Sequence, residues 1–351
     1  MAIFEILSGL GGVAVLDVLA AKVFERFYRN ERRPEAVHFT TTEDGWTLAL
    51  HQYDPPAGVA RKRPVICCHG LSGNHHGFDL TARTSLARFL AAAGHPTFLL
   101  DLRCAGLSDK GRVLGGKAIA WKLSDHYRFD APAAIRKVLE LTGADRLHWI
   151  GHSMGGMIAY AFLQTPLADQ ISRCVILASP AKFDAMRPLH RFGFLLKAIP
   201  AVPLRTFTQS TAPLFESVKF LQKMSGNLNL LPGHAALSAV NCQDQTPSAL
   251  LRDFTRFIDA GHFVGDDGAD LVAGLDRVRT PMLFMVGAAD ELAANGSIQA
   301  AYEACGAAEK DLVLLGTRHG QRTEYGHLTI LLGGNVYEEV FPRITAWLAK
   351  G

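Results

Sequence analysis

Short apolar runs alternate with longer amphipathic segments along most of the chain. The runs are about five residues long, the usual length of a strand, and the segments between them carry apolar residues at helical spacing. The apolar runs occur in RPVICCHG, HPTFLLDLR, DRLHWIGHS, SRCVILASP, TPMLFMVGAAD and KDLVLLG. Strands that alternate with amphipathic helices are typical of βαβ units. The pattern therefore predicts an α/β fold with a mostly parallel central sheet flanked by helices.

Two glycines mark predicted boundaries of local structure. Between residues 36 and 53, Asp44 and Gly45 separate two runs of alternating polar and apolar residues. An Asp-Gly pair in that setting is typical of a β-hairpin. Further along, the helical segment PAAIRKVLELTG ends in Gly143, which suits the left-handed conformation that often terminates a helix. We therefore predict an opening hairpin and a helix that ends at Gly143.

The strand pattern stops between about residues 181 and 280. This region holds nine of the twenty phenylalanines, and its recurrent prolines favour short, jointed helices. We predict that residues 181–280 form a helical cap inserted over the carboxyl edge of the sheet, where open α/β sheets bind ligands. Its phenylalanines are expected to line an apolar pocket. The α/β core then consists of residues 34–180 and 281–351.

The first 33 residues form a separate, strongly apolar segment. Its start lacks a basic region and charges interrupt its apolar run, unlike a secretory signal. The uncharged stretch Ile6–Leu16 has only 11 residues, whereas a membrane-spanning helix needs about 20. An amphipathic helix followed by four arginines suits a membrane surface. Packing on the protein's own body or on a second copy is the alternative, and the pattern does not predict an oligomeric state.

Charge and cysteine content exclude several classes of function. Lysine plus arginine number 36 and aspartate plus glutamate 33, so the net charge is +3. Since there is no basic stripe, we expect no nucleic-acid partner. The six cysteines show neither a CxxC pair nor metal-ligand spacing, so we expect no metal site and no cofactor. Their apolar surroundings suit a reducing compartment, and we predict a cytoplasmic location, with membrane association through residues 1–33 as an alternative.

The segment HWIGHSMGGMIAYAFL places Ser153 between a predicted strand and a predicted helix. A serine hydroxyl becomes nucleophilic when a base takes its proton and donors stabilise the oxyanion. Gly151 and Gly155 permit the tight turn, and the helix amino terminus adds positive potential. Strand, Gly-x-Ser-x-Gly turn and helix together are the signature of a nucleophile elbow. We predict that Ser153 is a catalytic nucleophile; a serine in an ordinary glycine turn is the alternative.

Two backbone donors are predicted for the oxyanion. The segment VICCHGLSGN ends a strand at His69 and Gly70, after which Leu71 offers its backbone N–H. The N–H of Met154, directly after the nucleophile, is the second donor. Together they would form an oxyanion hole; a glycine turn with a histidine that only packs is the alternative.

The acid partner is expected at the end of a late strand. The segment TPMLFMVGAADEL places Asp290 there, after small residues that permit a turn. Glu291 beside it and Asp184 at an earlier strand end are weaker alternatives. An ordinary helix cap would explain Asp290 without catalysis. We predict that Asp290 orients the base.

Two histidines beyond the last strand compete for the role of base. His327 precedes an apolar helix-like run that can hold it by packing. His319 lies in a charged loop, where a solvated side chain is expected. We predict His327 as the base, in the chain order Ser, Asp, His, which differs from both protease orders.

Together these segments resemble the α/β-hydrolase superfamily, in its lipase and esterase branch. CHGLSGN, LDLRCAGLSD, GHSMGG, VGAADEL and YGHL stand in the superfamily's order across residues 36–350. HFTTTEDGWTLALHQYDPP and TPSALLRDFTRFIDAGHF are similar to the opening hairpin and the cap segment of acid lipases. The resemblance implies an α/β-hydrolase fold with a helical cap insertion.

The resemblance also implies roles for single residues. It implies the nucleophile Ser153, the acid Asp290, the base His327 and oxyanion donors at Leu71 and Met154. The first 33 residues lie outside the match. At Thr329 the chain departs from related bacterial sequences, which often have aspartate after GHL, and we expect no effect on the chemistry.

The implied activity is hydrolysis of carboxylic esters through an acyl-enzyme. Lipophilic acyl esters, such as those cleaved by lipases or lysophospholipases, are the expected substrates. Epoxide and haloalkane hydrolases use aspartate as nucleophile, so Ser153 argues against both. An acyltransferase would use the same triad with another acceptor. From a different class, a ligand-binding or receptor protein could keep the triad with little turnover.

Overall fold

A computed structural model describes residues 18–111, 119–184, 201–217 and 229–351 of the chain. In these ranges the strands are β1 (Ala36–Thr41), β2 (Thr47–Tyr53), β3 (Val65–Cys68), β4 (Thr97–Asp101), β5 (Leu147–His152), β6 (Ile171–Leu177), β7 (Ala201–Val202), β8 (Thr246–Pro247), β9 (Met282–Gly287) and β10 (Lys310–Leu315). Eight of these described strands form one sheet in the order β1-β2-β4-β3-β5-β6-β9-β10, and β7 pairs with β8 separately. β1 and β4 pair antiparallel with β2, and the other neighbours in the sheet are parallel. Each predicted apolar run therefore forms one strand.

Helices cover both faces of the sheet. The described α-helices are α1 (18–27), α2 (Leu86–Ala92), α3 (Leu123–Asp125), α4 (Ala131–Thr142), α5 (Met154–Phe162), α6 (Leu204–Ser210), α7 (Leu214–Ser217), α8 (His234–Asn241), α9 (Ser248–Ala260), α10 (Asn295–Ala304), α11 (Thr329–Leu332), α12 (Val336–Glu339) and α13 (Phe341–Leu348). A π-helical turn, His126–Asp130, joins α3 to α4. The mostly parallel sheet with flanking helices is the predicted α/β class.

Alternate residues of the central strands enter two separate hydrophobic clusters. On β3, Ile66 joins one cluster and Val65 the other, and on β5 Trp149 and Ile150 divide in the same way. All four side chains are fully buried. Because a parallel sheet is covered on both faces, its strands appear in the sequence as continuous apolar runs. This explains why the sequence pattern located them.

The two predicted glycine boundaries are confirmed. Gly45 lies in the turn between β1 and β2 with φ +88°, in the left-handed region. Gly143 follows α4 with φ +68°, and its N–H donates to the carbonyl of Leu139. Both positions require a conformation that is costly for any residue with a Cβ atom.

The region 181–280 packs differently from its expected arrangement. Phe183, Phe257 and Phe263 are fully buried in the cluster that contains one face of the central sheet. The ring centroids of Phe257 and Phe263 lie 5.1 Å apart. The expectation that the phenylalanines line an apolar pocket is therefore wrong for these three, because their large apolar rings are part of the core. Three others lie outside the described residues: Phe192, Phe194 and Phe220. The cap boundaries stay a prediction.

The described part of the amino-terminal segment, α1, lies against this region. Phe24 and Tyr28 pack on a buried cluster that includes Phe215. Glu25 forms an ion pair with Arg205, with an N–O distance of 3.1 Å. One side of α1 therefore packs on the protein's own body. In the part of the chain that is described, no helix is long and apolar enough to cross a membrane.

His148 on β5 makes the fold sensitive to acid. Its ring is fully buried, and neither ring nitrogen has a hydrogen-bond partner among the described residues. Desolvation, assisted by nearby positive groups, lowers the pKa of His148 to about 3. The unfolded chain binds this proton below about pH 6.5, whereas the folded chain binds it only near pH 3. Falling pH therefore favours unfolding between these two values.

We expect His148→Phe to flatten the dependence of stability on pH in this window. In the unsubstituted protein, binding of this proton by the unfolded chain lowers the free energy of unfolding. The loss is up to about 1.4 kcal/mol for each pH unit below about pH 6.5. Urea unfolding at several pH values between about 7 and 4 measures the slope. The matched control, His319→Phe, removes an exposed histidine and should keep the original slope. An unchanged slope in the His148 variant would contradict the prediction.

Candidate active site

Ser153 lies at a sharp turn between β5 and α5, at the carboxyl edge of the sheet. Its backbone has φ 53° and ψ −119°. This is a strained conformation for a residue with a side chain, and such strain is concentrated at functional sites. The N–H of Ser153 donates to the carbonyl of Leu177 at 2.8 Å, which ties the turn to β6. The turn thus has the geometry of a nucleophile elbow.

The flanking glycines of the turn are required by packing. A Cβ atom on Gly151 would lie 2.4 Å from the carbonyl carbon of Gly155. A Cβ atom on Gly155 would lie 2.2 Å from the carbonyl oxygen of Cys68 on β3. The helix α5 can therefore approach the sheet this closely only with glycine at both positions.

Three side chains that are far apart in the sequence form a continuous hydrogen-bonded chain. Nε2 of His327 lies 3.0 Å from Oγ of Ser153. Nδ1 of the same ring lies 2.9 Å from Oδ2 of Asp290. Asp290 follows β9, and His327 lies in the loop between β10 and α11. The carboxylate accepts from Nδ1–H, so the lone pair of Nε2 faces the serine hydroxyl.

Electrostatics keep the Asp290 carboxylate ionised. Burial acts to raise the pKa of Asp290, but the neighbouring His327 and two backbone N–H groups outweigh it, so the pKa lies below its ordinary value. The two N–H groups are those of Leu292 and Ala293, which donate to Oδ1 at 2.9 and 2.8 Å. One carboxylate oxygen thus anchors the loop while the other orients His327.

The remaining sequence candidates lie elsewhere. Glu291 and Asp184 are exposed, and Asp184 lines a surface cleft with Lys182 and His262. His319 is exposed in the short turn Thr317–His319 directly after β10. The structure brings Asp290 and His327 to Ser153, and none of these three alternatives.

The two predicted backbone donors lie next to the serine. Gly70 packs so closely that a Cβ atom there would lie 2.9 Å from Cβ of Ser153, and Leu71 follows directly. Met154 is the first residue of α5, where the helix dipole is positive. Within the described residues, neither the Leu71 N–H nor the Met154 N–H donates to a protein acceptor. Both are therefore available to a developing oxyanion.

His69 holds the loop that carries Leu71. Its Nδ1–H donates to the carbonyl of Gly70 at 2.8 Å, and its Nε2 accepts from the N–H of Leu102 at 3.2 Å. Burial lowers the pKa of His69, in keeping with this neutral ring. The sequence left open whether this histidine only packs, and the contacts give it a positioning role.

Two residues that hold the His327 loop carried no clear signal in the sequence. The Nε2–H of His152 donates to the carbonyl of His327 at 2.9 Å. Burial lowers the pKa of His152 to about 3, so this ring stays neutral near pH 7. The hydroxyl of Thr329 accepts from the N–H of Gly326 at 2.8 Å. Threonine at position 329, where related sequences often have aspartate, thus still provides a side-chain oxygen that anchors the loop.

His51, His75 and Asp101 offer possible metal-ligand atoms within 4.8 Å of one another. The two rings stack with centroids 3.6 Å apart and planes at 21°, so one ion cannot lie in both ring planes. The Asp101 carboxylate already accepts from both rings and from the N–H of Leu107. We interpret this cluster as a hydrogen-bonded support for the loop that follows His69.

Comparison with known proteins identifies the family to which this chain is similar. Residues 63–319 match the family model of the alpha/beta hydrolase fold. Lipase lipl-1 of Caenorhabditis elegans is 34% identical over 141 residues, which are 37% of this chain and 34% of that lipase. Lipase member K of Homo sapiens is 33% identical over 155 residues, 41% of this chain and 39% of that protein. The match thus spans little more than a third of these curated relatives.

Solved structures share the fold at low sequence identity. A thermophilic esterase from Thermogutta terrifontis superposes with a TM-score of 0.56 at 17% identity, over 90% of this chain and 98% of that one. At this identity the likeness concerns the fold alone. Because the family model covers well over half of the chain, the chain belongs to the alpha/beta hydrolase fold family.

Proposed function

We propose that this protein is a carboxylic ester hydrolase whose catalytic triad is Ser153, His327 and Asp290. The observation that carries the proposal is the hydrogen-bonded chain from the buried carboxylate through the imidazole to a serine on a strained turn. A serine in this arrangement is a better nucleophile because the imidazole can take its proton.

The proposed reaction proceeds in two halves. Oγ of Ser153 attacks the acyl carbonyl while His327 takes its proton, and the N–H groups of Leu71 and Met154 stabilise the oxyanion. The tetrahedral intermediate collapses, and His327 returns the proton to the leaving alcohol. A water activated by His327 then hydrolyses the acyl-enzyme, and Asp290 remains ionised throughout to stabilise the imidazolium.

Lipid esters are the substrate class that we propose. The two curated relatives compared above are named lipases, which supports an ester with a lipophilic portion. The described phenylalanines of the core give no support to a long apolar acyl pocket, so the length of the acyl chain is a matter for experiment.

A fluorophosphonate probe together with an acyl-chain series tests this function. Fluorophosphonates label activated serines, so we expect labelling of Ser153 by mass spectrometry. p-Nitrophenyl esters from acetate to palmitate then measure kcat/KM against chain length. Labelling with turnover supports a hydrolase. Neither labelling nor turnover would favour a binding protein that keeps the triad.

We also propose that α1 contacts a lipid surface. On the side of the helix not packed on the protein, Leu19, Val23 and Phe27 are 55%, 50% and 79% exposed. Their spacing of four residues places them on one stripe. Lys22 and Arg26 are exposed beside it. An apolar stripe flanked by cations matches the acyl boundary and the anionic headgroups of a membrane.

Replacing Leu19, Val23 and Phe27 by serine is expected to weaken binding to phosphatidylglycerol vesicles by at least about tenfold, because the inserted apolar area is lost. Vesicle cosedimentation measures the binding. Phe39→Ser, which removes a 52% exposed phenylalanine from β1, is the matched control and should bind as before. Equal binding by the triple variant and the original protein would contradict the proposal. If the original protein is a dimer and the triple variant is not, the stripe is instead an interface with a second copy of the chain.

A further inference from the structure

We propose that a small cavity beside the oxyanion loop binds a hydroxyl group on the acyl part of the substrate, with Nε2 of His126 as its hydrogen-bond partner. The inference rests on the proposed function and specifies its substrate. It predicts esters of hydroxylated acids, a class that no feature of the sequence suggested.

The position of the cavity selects the acyl side of the ester. The cavity measures about 20 Å³ and includes His69, Trp121, His126, Met154, Asp244 and Thr246 in its lining. Since His327 protonates the leaving alcohol in the proposed reaction, the alcohol lies beside its ring. Neither His327 nor Ser153 lines this cavity, but its lining includes Met154, a proposed oxyanion donor, and Ser72, which follows the other proposed donor, Leu71. We assign the group that enters it to the acyl part, because the cavity adjoins the proposed oxyanion donors and not the ring that protonates the leaving alcohol.

The size of the cavity favours a small polar group. A volume of about 20 Å³ holds about one water-sized group. A hydroxyl fits this space, whereas an alkyl chain does not. The cavity is therefore a site for one substituent close to the carbonyl carbon, and the rest of the acyl group must lie outside it.

His126 is held rigidly by one ring nitrogen, and its other ring nitrogen has no hydrogen-bond partner among the described residues. It is 1% exposed, and its Nδ1 lies 2.7 Å from Oδ2 of Asp130. The carboxylate accepts from Nδ1–H, so the opposite edge of the ring carries Nε2 as an acceptor. Nε2 is buried and has no hydrogen-bond partner among the described residues. A substrate hydroxyl can donate to it.

Ion pairs fix Asp130 from the other side. The guanidinium of Arg103 donates to Oδ1 of Asp130 at 2.6 Å and to Oδ2 of Asp44 at 2.7 Å. Both Arg103 and Asp130 are almost completely buried. This network opposes rotation of the His126 ring, because turning the ring would break its Nδ1–H bond to a fixed, buried carboxylate.

The buried groups Asp244 and Thr246 at the cavity already have partners, whereas Gln245, which also lines it, is exposed to solvent. Asp244 accepts from Nδ2 of Asn74 at 2.9 Å and from the N–H of Gly106 at 2.8 Å. The hydroxyl of Thr246 bonds to that of Ser72. Among these buried groups, Nε2 of His126 is the one without a partner in the described part of the chain, and it is the atom that we propose a ligand satisfies. An alkyl acyl group would leave it buried and unpaired, and such a mismatch is how sites reject analogues that lack a hydroxyl.

Methyl 3-hydroxybutyrate and methyl butyrate form the matched pair of substrates. We expect kcat/KM for the hydroxylated ester, in one enantiomer, to exceed that for methyl butyrate by on the order of 10- to 100-fold, the effect of one buried hydrogen bond. His126→Leu should bring this ratio close to one, and His126→Gln, which keeps an acceptor, should retain part of it. The control His319→Leu changes an exposed histidine and should leave the ratio unaltered.

Two outcomes would overturn the inference while the proposed function stands. One is turnover of both esters without preference, as expected if a structural water occupies the cavity. The other is a preference that survives unchanged in His126→Leu. Should that variant fail to fold, the ratios of the unsubstituted protein and of His126→Gln decide the matter. Absence of both ester turnover and fluorophosphonate labelling would instead refute the proposed function itself.

Discussion

Replacing Ser153 by alanine is expected to reduce kcat for p-nitrophenyl esters by up to about a millionfold. The substitution removes the oxygen that forms the acyl bond. The turn, the backbone donors and His327 stay in place, so residual turnover reflects substrate binding and oxyanion stabilisation alone. Initial-rate kinetics with p-nitrophenyl acetate measure the loss, and circular dichroism checks that the variant is folded.

Ser210 supplies a matched control for this experiment. Its hydroxyl donates to the carbonyl of Phe207 within α6, so Ser210→Ala should retain full turnover and fluorophosphonate labelling. Ser153→Ala should lose both. Turnover near the original rate by folded Ser153→Ala protein would show that another residue is the nucleophile.

Asp290→Asn is expected to lower kcat by about ten-thousandfold. The carboxylate accepts from Nδ1–H of His327 at 2.9 Å, which leaves Nε2 free to take the proton of Ser153. An asparagine amide can instead donate to Nδ1, and the ring then carries its proton on Nε2, where it cannot act as a base. The variant also lacks the negative charge that stabilises the imidazolium. Steady-state kinetics at constant pH test the expectation.

Glu291→Gln is the control for the acid. Glu291 adjoins Asp290 but is exposed, and it was the second choice for this role in the sequence. We expect its variant to keep the original kcat. A large loss in Glu291→Gln, with Asp290→Asn left active, would transfer the role of the acid to Glu291.

Much of the sheet follows from local pattern. The apolar run of β5 ends at a Gly-x-Ser-x-Gly turn, and Ser153 lies there with φ 53°. The burial of a strand on both faces and the steric need for glycine at a tight turn both act over a few neighbouring residues. The strands and the glycine turn can therefore be recognised in the sequence. The hairpin turn at Gly45 and the helix end at Gly143 were predictable for the same reason.

The cap region and the supporting contacts were much less predictable. Composition placed the phenylalanines near a pocket, whereas Phe257 and Phe263 lie in the core. A phenylalanine gains similar free energy in a pocket wall or in a core, so its frequency does not indicate which surface it covers. The roles of His126 and His152 were also hard to predict from the sequence, because each role depends on which group forms a hydrogen bond with the ring.

The sequence by itself determined the order of strands and helices, the elbow at Ser153 and a short set of candidate acids and bases. Only the tertiary structure decided that His327 rather than His319 meets Ser153, 174 positions away in the chain. It also decided that the carboxylate beside that ring belongs to Asp290, and that Nε2 of His126 is buried without a hydrogen-bond partner among the described residues. Local conformation depends on neighbouring residues, whereas these contacts between distant residues depend on how the whole sheet brings its strand ends together.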